Sequence, residues 1–144
     1  MKNIIVKLLF VLLILSGGLK TRAEIVLNLQ NNKPAEIFND FRNGVIHNNV
    51  SEFTKHFKGD VLIKLRNGVA DYFSPNQAYF VLKDFFDSYE VVSFGYKNIS
   101  AEGNFPSASG ELTFKHNGMN GSALAFISLE KKNNEWVIVQ ITIN

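Results

Sequence analysis

The 144-residue chain contains no cysteine, and that absence removes disulfides, thiolate nucleophiles, cysteine-ligated iron–sulfur clusters and cysteine zinc sites together. Histidine is nearly as scarce. His47, His56 and His116 have no H-x-H or H-x-x-x-H spacing, so no metal site and no cofactor is expected. No serine sits in a G-x-S-x-G elbow and no glycine-rich phosphate loop is present, which leaves nucleophilic hydrolysis and nucleotide binding without their usual residues. Charge of one sign is also lacking, with 15 basic against 13 acidic residues and Lys131-Lys132 as the one adjacent basic pair. Phosphate backbones are held by clustered surplus Lys and Arg, so no nucleic-acid partner is expected. No apolar run reaches the roughly 20 residues that a helix needs to span a bilayer, which predicts no permanent membrane anchor.

The longest such run, Ile4 to Leu15, is interrupted only by Lys7. Lys2 precedes it, and Ser16-Gly17-Gly18 and then Thr21-Arg22-Ala23 follow. A charged start, a short apolar core and a small-residue end predict a cleavable signal peptide over residues 1–23, with cleavage after Ala23. The mature chain, residues 24–144, would then carry 11 basic and 13 acidic residues, a net charge of −2. An exported product without cysteine fits a bacterial envelope, so a periplasmic or extracellular location is expected.

The remainder is rich in what a core needs. Hydrophobic residues make up 46% of the chain and include 13 Phe, which excludes a disordered or fibrous polymer. No repeat, low-complexity tract or linker divides residues 24–144, so one domain is expected. Pro34 suits a first helical position, and Ile37, Phe38, Phe41 and Val45 recur at spacings of three and four to give a first helix. Asn49 with Glu52 resembles a capping box for a short second helix carrying Val50, Phe53 and Phe57. Val61, Ile63 and Leu65 alternate as a strand, and Asn67-Gly68 predicts a type I′ turn into a returning strand, Val69 to Phe73. Ser74-Pro75-Asn76-Gln77 starts a third helix, whose Ala78, Val81, Leu82, Phe85, Phe86 and Tyr89 form one apolar stripe.

From Val91 the period changes to two. Val91 to Ile99, Ser107 to His116, Ser122 to Lys131 and Trp136 to Ile143 read as an antiparallel meander. The last two strands are apolar on both parities, Leu124 and Phe126 against Ala125 and Ile127, which predicts central strands covered on both sides.

This order of elements resembles the nuclear transport factor 2-like, or cystatin-like, superfamily, in which a curved sheet wraps helices into a cone. More locally, three stretches are similar to the secreted bacterial family called domain of unknown function 4783. They are Ile37 to Val45 with Val50-Ser51-Glu52-Phe53, then Tyr72 to Ala78 with Val81-Leu82-Lys83-Asp84-Phe85-Phe86, and Trp136 to Ile141. The resemblance implies an α+β cone, helices on a curved, mainly antiparallel sheet, and it assigns no catalytic residue. Cones of this kind often hold a small apolar ligand, and Phe41, Tyr72, Phe114 and Phe126 are the expected lining. The apolar residues on the far side of the sheet predict a homodimer. The alternative is a lyase- or isomerase-like enzyme in which a carboxylate transfers a proton and a tyrosine or protonated acid hydrogen-bonds the developing oxyanion, with Asp40, Asp71 and Tyr72 as the candidates. His56 and Asp40 are expected on a solvated helix face, and His116 at a strand end beside the Asn117-Gly118 turn, with the rim of the cone as the alternative.

Overall fold

A computed structural model describes residues 33–144, and the expected signal peptide and Glu24 to Asn32 lie outside the described residues. The order is α1 (Pro34–Ile46), α2 (Ser51–Thr54), β1 (Val61–Leu65), β2 (Ala70–Phe73), α3 (Pro75–Ser88), β3 (Glu90–Ser100), β4 (Ser107–His116), β5 (Met119–Lys132) and β6 (Glu135–Ile143). Every expected element is present in the expected order. Proline opens α1 and α3, where its missing N–H costs nothing. At the start of α3, Gln77 Oε1 also accepts from the backbone N–H and the hydroxyl of Ser74, at 3.1 and 2.9 Å.

Two local expectations differ. Asn49 does not cap α2 with its side chain; its carbonyl accepts from the Glu52 N–H at 3.0 Å and Val50 takes the cap position in helical geometry. The β1–β2 loop is not type I′, because only Gly68 of the Asn67-Gly68 pair has positive φ, at 97°. Gly68 N–H bonds to the Leu65 carbonyl and Leu65 N–H to the Val69 carbonyl, so the loop is a three-residue turn with a glycine bulge. Both central residues have positive φ at Asn117-Gly118, between β4 and β5, and at Asn133-Asn134, between β5 and β6.

The six strands form one sheet in the order β2-β1-β6-β5-β4-β3. All neighbours are antiparallel except β1 and β6, which run parallel with Ile63 opposite Ile141. β5 and β6 are therefore central. On the helix-facing side, Ala108 lies opposite Ile127, Leu112 opposite Ala123, and Ile127 opposite Ile141. α1 crosses β3, with the Phe38 ring 6.2 Å from Tyr96 and the Phe41 ring 5.8 Å from Phe94. On α3, Ala78, Leu82, Phe85 and Phe86 are buried, which is the predicted stripe. Three single-residue irregularities, at Val92 and Lys97 of β3 and at Val139 of β6, interrupt the ladders. Bulges of this kind bend strands and raise their twist.

Candidate functional site

The inner side of the sheet is where a cone would hold a ligand, and here it is occupied by rings. Phe38, Phe41, Phe53, Phe85 and Phe86 are fully buried with Ile37, Leu82, Leu112 and Ile138. Phe53 meets Phe41, Phe57 and Phe86 edge to face at 5.0 to 6.5 Å, an arrangement aromatic pairs prefer. No polar or charged residue among those described is buried in this core.

Polar groups gather at its margins. On one side, Asp40 of α1 accepts from His56 Nε2 at 2.8 Å and from Lys55 Nζ at 3.0 Å. Burial works against the charged carboxylate, yet the hydrogen bonds from His56 and Lys55 outweigh it and hold Asp40 below the ordinary carboxylate value. The His56 side chain is only 12% exposed and its carbonyl accepts from Ile138 N–H, so neither His56 nor Asp40 lies on a freely solvated face. That corrects the sequence expectation. Helical periodicity identifies the side of α1 on which Asp40 falls but carries no information about a residue sixteen positions away. Nearby, Tyr96 donates its hydroxyl to the Phe38 carbonyl at 2.7 Å, and burial raises its pKa.

At the other margin His116 lies flat on Tyr89, 4.1 Å between ring centres, and Tyr89 stacks in turn on Phe85. His116 Nδ1 donates to the Ser88 carbonyl at the end of α3. The Arg66 guanidinium sits 4.7 Å above the Phe114 ring and donates to the Ser122 carbonyl.

The four expected lining residues do not converge. Phe41 is sealed in the core, and Phe114, 4% exposed, is enclosed by Tyr89 and Arg66 and packs over Gly121, where an added Cβ would meet its ring at 2.6 Å. Phe126 and Tyr72 lie on the outer side of the sheet. Strand alternation decides this. Inward Ile127 and Val61 put Phe126 and Leu62 outward, and Tyr72 is the cross-strand partner of Leu62. The enzyme alternative fares no better, because Asp71 and Tyr72 are exposed on opposite faces of β2 and Asp40 is engaged on α1. Among the described residues no group of three or more His, Asp or Glu is placed to hold a metal.

The outer side of the sheet is uneven. Leu124 is 67% exposed and Tyr72 65%, with Phe126, Leu62 and Val139 half-buried between them. One depression of about 470 Å³ borders Val92, Thr113, Lys115, Asn120 and Ser122, and one of about 300 Å³ borders Leu62, Tyr72, Val139 and Gln140. The expected cover on this face of the central strands is thus not supplied by the described residues themselves. No helix among them is long and apolar enough to cross a membrane.

Among solved structures, a family member from Bacteroides uniformis is 20% identical, covering 74% of this chain and 94% of its own at a TM-score of 0.66. A member from Bacteroides fragilis gives 20%, 72%, 93% and 0.62. The fold extends to an NTF-2 like protein of unknown function from Shewanella oneidensis, 13% identical, covering 76% and 93%, TM-score 0.55. It also extends to AclR, a putative hydroxylase from Streptomyces galilaeus, at 14% identity, 77% and 88% coverage and a TM-score of 0.59. No curated protein matches. Residues 35–144 match the model for domain of unknown function DUF4783. With its α+β architecture and its nuclear transport factor 2-like neighbours, the chain belongs to the DUF4783 family.

Proposed function

We propose that the protein is an exported, non-catalytic association domain that pairs with a second copy of itself through the outer face of its sheet. The observation that carries this reading is the exposure of Leu124 and Tyr72 on that face, with half-buried Phe126, Leu62 and Val139 beside polar Gln140 and Thr142. Large apolar side chains left exposed on one sheet face support an interface there, and packing two such faces would bury them. A core filled by phenylalanine, without a buried carboxylate among the described residues, supports a role other than proton-transfer catalysis. Export is supported by Lys2, the apolar run to Leu15 and the small residues ending at Ala23.

Sedimentation velocity at micromolar concentration tests the pairing. A dimer that Leu124→Glu and Phe126→Glu each dissociate is expected; a monomer at every concentration refutes it. Mass spectrometry of the exported protein, expected to begin at Glu24, tests the leader. A second reading, a small apolar ligand, is favoured by the depression of about 470 Å³ beside Val92 and Phe114, a size within the usual range for ligand pockets. Thermal-shift screening with small apolar compounds separates the two readings, since only a bound ligand raises the melting temperature.

A further inference from the structure

Several charges on the surface are answered by a neighbour. Lys55 pairs with Asp40 and Glu52, Lys83 with Asp87, and Lys97 with Glu111. The depression of about 300 Å³ on the outer face departs from this pattern. Asp60, Glu130 and Lys132 all border it. Among the described residues, none of the three forms an ion pair or a side-chain hydrogen bond. Opposite charges thus share one small hollow without meeting.

The backbone holds the three groups in place. Asp60 immediately precedes β1, while Glu130 and Lys132 are alternate residues of β5 and so share a side of that strand. A Cβ added at Gly59 would stand 3.7 Å from Lys132 Nζ, which sets the ammonium beside the Gly59-Asp60 corner. Between the charges the floor is apolar, made by Leu62 of β1, by Val139 at the irregularity in β6 and by the exposed Tyr72 ring of β2. Two carboxylates and one ammonium are complemented by a molecule with two cations and one carboxylate, and the apolar floor calls for an aliphatic stem between them. Residues 24–32 do not supply that set, because their one charged side chain is Glu24, a further acid.

We propose that this depression binds a free basic α-amino acid, of the lysine or arginine class. Its α-carboxylate pairs with Lys132 and its two cationic groups with Asp60 and Glu130, in charge-assisted hydrogen bonds, the stronger kind. Its methylenes lie on Leu62 and Val139, and the side-chain cation lies against the Tyr72 ring, whose face attracts positive charge. A volume of about 300 Å³ stands at the lower end of the range for small-molecule sites, which suits a single amino acid. The site goes beyond self-association. Leu62, Tyr72 and Val139 also lie on the face assigned to pairing, so on that reading a bound amino acid and a second copy compete for them.

Isothermal titration calorimetry with L-lysine and L-arginine tests the site. At least one of them is expected to bind with a Kd below about 1 mM. Norleucine, which lacks the side-chain cation, and cadaverine, which lacks the carboxylate, should bind at least about tenfold more weakly. Glu130→Gln and Lys132→Met should each weaken binding at least about tenfold with an unchanged melting temperature, because neither side chain is paired within the fold. Leu124→Glu, outside the depression, is titrated beside the wild type. A monomeric wild type ends the self-association reading and leaves the binding result standing, whereas binding by Leu124→Glu alone supports the site and shows a second copy covering it. No heat with either amino acid, equal affinity for norleucine, or indifference to both substitutions overturns the proposal. So does Nα-acetyl-lysine amide binding as tightly as lysine, since the occupant would then be a lysine side chain of a polypeptide.

Discussion

Gly110→Ala should destabilise the protein while Gly95→Ala should not, although the two glycines are neighbours in one strand pair. The added methyl of Gly110→Ala would start 2.5 Å from a backbone oxygen and 2.9 Å from the Phe94 ring, where ordinary contact needs 3.4 to 4 Å. About 1 Å must be recovered, and a carbonyl in a ladder moves only if β3 lifts from β4 or Phe94 leaves its place on Phe41. Overpacking of this kind costs about 1–3 kcal/mol, and loosening one ladder hydrogen bond adds about 1 kcal/mol. The reduced freedom of the unfolded chain returns about 0.4–1 kcal/mol. The net expectation is a loss of about 1–3 kcal/mol, or roughly 4–12 °C in melting temperature for a domain of this size. Gly95→Ala keeps the chain-entropy gain and meets nothing, so it should be neutral or up to about 1 kcal/mol stabilising. Urea denaturation followed by the fluorescence of Trp136, the sole tryptophan, reads both from the transition midpoints. Equal stability of the two variants would refute the close approach of β3 to β4 at this point.

Leu82→Ala should cost about 2–5 kcal/mol, since Leu82 is fully buried on α3, whereas exposed Lys83→Ala should cost under about 0.5 kcal/mol in the same urea series. Tyr96→Phe removes the hydrogen bond to the Phe38 carbonyl and should cost about 0.5–1.5 kcal/mol. In alkaline spectrophotometric titration of the wild type, Tyr96 should ionise above the ordinary tyrosine value, because burial disfavours phenolate. Asp40 has a folded pKa below the ordinary aspartate value of 3.8, so its contribution to stability is fully present above about pH 3.8 and is lost as pH falls through the lower folded value. Asp40→Asn should be less stable at neutral pH and should lose less stability on acidification below pH 3.8; an unchanged acid limb in urea melts would contradict the pairing.

Helices and strands were legible because their signals are local. Pro34 and Ser74-Pro75 mark helix starts, and spacings of three and four or of two report which element follows. The miss at Asn67-Gly68 is instructive, because the dipeptide supports either a two-residue turn or a three-residue turn with a bulge, and the register of β1 against β2 chooses between them. The candidate site was less legible. Phe41, Tyr72, Phe114 and Phe126 share a residue class but not a direction, and each strand pairing adds its own parity. Asp40 and His56 meet across sixteen residues through helix packing, which leaves no pattern in the chain.

Local patterns along the chain set the composition of the core, the order of nine elements, the absence of thiol chemistry and the family resemblance. Long-range pairing is what joins β1 to β6 in parallel, making β5 and β6 central and leaving β2 and β3 as edges among the described strands. It also decided that Phe126 and Tyr72 face outward while Phe114 is closed beneath Arg66. Periodicity is a property of neighbours along the chain, whereas the side of a sheet, the strand at its edge and the partner of a half-buried carboxylate are set by contacts between residues far apart in sequence.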